Sequence, residues 1–89
     1  MDKLDQAKKN FEEGIKFFQN KDFKKAQIYF EKTLELAPSS SPTLENLSKS
    51  YLETKDYNKA EKILKYFIKL NKEDDQIAYK LLYEIYSTL

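Results

Sequence analysis

The stretch Lys21-Asp22-Phe23-Lys24-Lys25-Ala26 returns 34 residues later as Lys55-Asp56-Tyr57-Asn58-Lys59-Ala60. Four of the six positions are identical, and the aromatic is kept in kind. A period of this length implies a repeat architecture of stacked units, because one such unit cannot bury its apolar face alone. Within the stretch, Asp is a helix N-cap and the Lys before it sits in a tight turn. Ala26 and Ala60 are small residues on the inward face of the helix that follows, so the stretch builds a hairpin and is not itself a site.

The composition around this repeat fits a helical chain. With 40% hydrophobic and 35% charged residues, the 89-residue sequence is that of a single globular domain rather than a disordered one. It is rich in Lys, Glu and Leu and lacks Val, which favours helix over sheet. Net charge is +1 and all sixteen basic residues are Lys. There is therefore neither a strong positive field nor a bidentate guanidinium for phosphate or guanine, which argues against nucleic acid as partner. Absence of Cys and His removes disulfides, thiol chemistry and the commonest metal ligands, so no cofactor or metal is expected. No apolar run approaches the ~20 residues that span a bilayer. The N-terminus lacks an apolar signal core, so the cytoplasm is the expected compartment and no membrane partner is expected.

Read in order, the chain predicts five helices. Asp2 caps the first, which runs to about Asn20 and carries two apolar stripes. One is Ala7, Gly14 and Phe17, and the other is Phe11, Ile15 and Phe18. A helix with a single packing face needs only one stripe. At Asn20-Lys21 one residue must take a left-handed conformation, because no Gly is present there. The second helix covers about Phe23 to Ala37 and ends before Pro38. Ser41 as N-cap with Pro42 at the first helical position starts the third, which runs to about Thr54. Asp56 caps the fourth, Tyr57 to Leu70. Asp74 or Asp75 caps the fifth. The Ser39–Ser41 run is a linker; without His it is no nucleophile cluster.

These features resemble the tetratricopeptide repeat. Gly14, Phe17, Phe23, Ala26, Phe30 and Pro38 match its pattern in a first unit, residues 7–40. Leu44, Leu47, Ser48, Tyr51, Tyr57, Ala60 and Leu64 match it in a second, residues 41–74. Asn10, Glu13 and Lys72 depart from it. Residues 75–89 are similar to the first helix of a third unit. The expected fold is an all-α, right-handed helical-hairpin solenoid of two and a half units and five antiparallel helices, forming one domain.

The resemblance implies a non-catalytic scaffold whose first helices line a concave groove for a protein, peptide or partner helix. Its groove stripe falls on Phe11, Ile15 and Phe18, then Glu45, Asn46, Lys49 and Leu52, then Tyr79, Lys80, Tyr83 and Tyr86. The candidate groove contacts are Phe11, Ile15, Phe18, Asn46, Lys49, Tyr79, Lys80 and Tyr83. This accounts for the second stripe of the first helix. One subclass of the family grips a C-terminal carboxylate with two Lys, two Asn and an Arg. Here only Asn46 matches, Lys80 takes the Arg position, and Phe11, Ile15 and Gln76 hold the other three, so that clamp is not expected.

The fifth helix is apolar nearly all round, where a terminal repeat helix usually turns a polar face outward. Three arrangements would satisfy it: pairing with a second copy, a further helix of a longer array, or close packing on the fourth helix. The first is an alternative reading of the whole chain, a homo-oligomer assembled through Ala78, Leu82, Ile85 and Leu89.

Overall fold

A computed structural model of the chain describes residues 2–70 and 76–88. Helices α1 (Lys3–Gln19), α2 (Phe23–Leu36), α3 (Ser41–Glu53), α4 (Tyr57–Leu70) and α5 (Gln76–Thr88) follow one another, and no strand occurs among the described residues. The expected turn and caps at residues 71–75, and Leu89, lie outside the described residues.

Local chemistry sets the helix ends. Asp2 accepts the Asp5 N–H at 2.8 Å and Asp22 accepts the Lys25 N–H at 3.3 Å, each satisfying a donor that the helix itself leaves unpaired. Lys21 and Lys55 take the left-handed positions, with φ of 62° and 63°. At the first turn, the Lys21 N–H donates to the Phe18 carbonyl and the Asp22 N–H to the Phe17 carbonyl. At the second, Lys55 donates to Leu52 and Asp56 to Tyr51. Both pairs form the Schellman pattern normally completed by Gly. Two expectations shift. Helix α3 begins at Ser41 with Ser40 as N-cap, because the Ser40 carbonyl takes the Leu44 N–H at 3.0 Å. Pro42 still fits in this first turn, where its missing N–H costs nothing. Asp56 keeps the N-cap place of α4, its carbonyl taking the Ala60 N–H at 3.0 Å, but its carboxylate accepts from the Thr54 hydroxyl at 2.8 Å and the Lys24 amine at 3.4 Å.

Each hairpin closes over a small residue. A Cβ on Gly14 would lie 2.5 Å from Cε1 of Phe30, so only hydrogen fits there. Ala26, Phe30, Ala60 and Leu64 are completely buried, and with Leu44, Leu47, Tyr51, Phe67 and the inner residues of α5 they form one continuous core. Phe17 stacks on Tyr29 at 5.4 Å, and Phe18 meets Phe23 edge-on at 5.2 Å. These contacts weld α1 to α2.

Polar links join one hairpin to the next. The buried Gln27 amide donates to the Ser50 carbonyl at 3.0 Å and to the Thr54 hydroxyl at 2.9 Å. Tyr51 donates its phenol to Glu31 at 2.9 Å. Burial and then the Glu31 carboxylate push the Tyr51 phenol well above its ordinary range. Among the described residues, α1 touches α3 and α3 touches α5, whereas α2 and α4 make no such contact. The odd-numbered helices thus form the tighter, inner layer of a slab 17 Å thick, and the outer layer is splayed.

Two outcomes follow in urea denaturation. Gly14→Ala loses about 1–2 kcal/mol net of helix propensity, and Phe30→Leu in the same chain recovers part of that loss by removing the clashing ring. Lys21→Gly gains about 0.5–1 kcal/mol, because it relieves a left-handed side chain at a surface turn.

Candidate functional site

Because the inner layer is α1, α3 and α5, surface residues of those helices converge. They enclose an open cleft of about 340 Å³ lined by Phe18, Glu45, Lys49, Leu52, Glu53, Ile77, Lys80, Leu81 and Glu84. Its apolar part is Phe18, Leu52, Ile77 and Leu81. Three carboxylates and two amines form its rim, and Lys49 is bonded to Glu45 at 2.8 Å, one turn away on the same helix. That pair is partly exposed and contributes little to stability, but it neutralises the first amine of the rim. An apolar centre within a charged rim is the anatomy of a protein interface, at the scale of one or two large side chains.

Of the eight groove candidates, Phe18, Lys49 and Lys80 come together here. Phe11 lies at a separate apolar notch of about 280 Å³ with Leu4, Ala7, Pro42 and Thr43, its ring 5.8 Å from Phe30. Ile15 is half-buried against the core and lines neither cavity. Asn46 turns its amide back on its own helix, donating to the Pro42 carbonyl at 2.8 Å. Tyr79 and Tyr83 stand outside the cleft, 56% and 73% exposed. At 100° per residue they share a stripe with Tyr86, separate from Ile77, Lys80, Leu81 and Glu84.

The self-association set also needs correcting. Ala78, Leu82 and Ile85 belong to the chain's own core, being 0%, 7% and 1% exposed. Helix α5 buries them against this same chain, so they offer no free surface; its exposed large apolar side chains are Ile77, Tyr79, Tyr83 and Tyr86.

Sequence reasoning missed Glu53, Ile77, Leu81 and Glu84 as cleft residues. The available signal was a comparison one repeat back. Thr43 and Ser50, 34 residues before Ile77 and Glu84, are fully buried in α3, whereas Ile77 is 46% exposed and Glu84 is exposed. Helix α5 therefore does not seat on its predecessors as α3 does, and the cleft is the space left between. On its other side α5 is held to α4 by a hydrogen bond from the Tyr86 phenol to the Glu61 carboxylate, which raises the Tyr86 pKa. The bond is present below the ordinary phenol range and is lost as pH rises through the raised value. An ultraviolet phenolate titration of Tyr86→Phe is expected to lack one late-titrating component of the parent curve.

Among the described residues, no group of three or more His, Cys, Asp or Glu could hold a metal ion. No described helix is long and apolar enough to cross a membrane. A search of curated proteins finds no significant match. The sequence does match the tetratricopeptide repeat family over residues 17–84, which spans both hairpin turns and most of α5. With that match, the 34-residue period and the all-helical hairpin stack, the chain belongs to the tetratricopeptide repeat family.

Proposed function

We propose that the chain is a non-catalytic scaffold that takes a short amphipathic segment of a protein partner in the cleft between α1, α3 and α5. Tetratricopeptide repeats generally mediate protein–protein interaction. The observation that carries the reading is the apolar floor of Phe18, Leu52, Ile77 and Leu81 inside a rim of both charge signs. Such a floor receives one or two apolar anchors, and the rim tolerates a polar flank of either sign without steering it. A protein partner fits better than nucleic acid, since every basic residue is Lys and net charge is only +1.

The test is a nuclear magnetic resonance titration against a panel of amphipathic peptides. Binding by any of them should shift Leu52 and Leu81 signals. Phe18→Ala or Leu52→Glu should then weaken it at least about tenfold, the effect of losing a central apolar contact. Tyr79→Ser and Tyr83→Ser should leave it unchanged. Peptides that bind equally to Leu52→Glu would sink this reading.

A second reading, self-association, is favoured by the exposed stripe of Tyr79, Tyr83 and Tyr86, which carries no charge to repel its own copy. Sedimentation at several concentrations separates the two. Under self-association the parent dimerises and Tyr83→Glu is monomeric; a parent that stays monomeric at all concentrations excludes it.

A further inference from the structure

The α2/α3 joint and the α4/α5 joint are the same junction one repeat apart, yet the helix that enters it seats differently: α3 buries the face that α5 leaves on the cleft. In the closed joint Gln27 donates to the Ser50 carbonyl and to the Thr54 hydroxyl, and Thr43 and Ser50 are completely buried. All the counterparts lie 34 residues on: Glu61, Glu84, Thr88 and Ile77. Thr88 still bonds the Glu84 carbonyl at 2.8 Å, as Thr54 bonds Ser50 at 3.3 Å, so the local helix geometry is preserved. The interhelical link is not. A carboxylate has no proton to donate, so Glu61 cannot reproduce the bond from Gln27 to a carbonyl. It accepts from Tyr86 instead, on a different side of α5.

The other two replacements oppose closure by size and charge. Seating α5 as α3 is seated would put the larger Ile77 where Thr43 fits. It would also carry the Glu84 carboxylate into the buried position of Ser50, at the desolvation cost of a charged group. Leu82 completes the set. Gly14 and Ser48 occupy its place in the first two units, and at Gly14 the partner helix leaves no room even for a Cβ. Leu82 is a large side chain buried at that place, giving α5 an apolar anchor of its own.

We propose that the cleft is a repeat joint held open by the chain's own departures from its repeat: Glu61, Ile77 and Glu84 keep α5 from closing, and Leu82 anchors it in the open position. These are positioning residues. The assignment rests on the cleft reading above only for its functional meaning. It also makes the cleft a permanent feature of the unliganded chain rather than one that a partner must pry apart.

The full chain carrying Glu61→Gln, Ile77→Thr and Glu84→Ser together restores the closed-joint residues. Leu52 methyl accessibility to a soluble paramagnetic agent is the readout, with buried Leu47 of the same helix as internal reference. The expected result is loss of Leu52 accessibility to the level of Leu47. A folded variant, with Leu44 and Leu47 still protected, in which Leu52 stays as accessible as in the parent overturns the proposal. Should the triple variant not fold, Glu61→Gln, Ile77→Thr and Glu84→Ser made singly serve instead: reduced Leu52 accessibility in any of them supports the proposal and unchanged accessibility in all three overturns it. Peptide titration of the closed variant keeps the two readings apart. Lost binding supports the cleft as the binding site, since Ile77 and Glu84 line it, and leaves the joint to be decided by Leu52 accessibility. Retained binding with Leu52 closed sinks the cleft as the binding site but leaves the held-open joint standing.

Discussion

The stack depends on one steric fact: the ring of Phe30 occupies the space where Gly14 has no side chain. Helices crossing at such a point approach more closely than ordinary side chains allow, and the aromatic residues around them are compressed into van der Waals contact. Phe17 against Tyr29 and Phe18 against Phe23 follow from that approach. So does the division of α1 into a face turned to α2 and a stripe left for the inner surface. The Lys21 and Lys55 turns serve the same end, reversing the chain within a few residues so that each hairpin is tight from its first turn.

Hairpins formed in this way still have to be joined, and the joint is polar. Gln27 is buried and both of its described hydrogen bonds cross to α3, which fixes rotation as well as distance. Apolar packing alone would tolerate a slide of one helix on the next. The amide does not, because slipping would strand a buried donor. The α4/α5 joint shows the converse. With Glu61 in the corresponding place, α5 is still packed through Ala78, Leu81, Leu82 and Ile85, but without a buried amide across the joint.

Much of this was readable from the residues. The Asp-aromatic-x-Lys-Ala repeat placed the turns and the second helices, Pro38 ended α2, and the small residues at 14, 26, 48 and 60 marked the crossings. Phe18, Lys49 and Lys80 were legible as neighbours on the inner surface because their places follow from helix periodicity and repeat position. Tyr79, Tyr83 and the buried α5 residues were not. Assigning them meant carrying the geometry of α3 onto α5, and the difference between those helices shows only when Ile77, Leu82 and Glu84 are set against Thr43, Ser48 and Ser50 one repeat back. Asn46 fails for a local reason, since its amide reaches a carbonyl one turn back on its own helix.

The splayed outer layer has a mechanical meaning. With the backbones of α2 and α4 apart and those of the inner helices close, the slab has the form of a leaf spring hinged along its inner face. Bending it further closes empty space on one side and compresses packed side chains on the other, so the two directions have unequal stiffness. Flexing that spreads the inner helices meets little resistance from the outer ones until α2 and α4 collide.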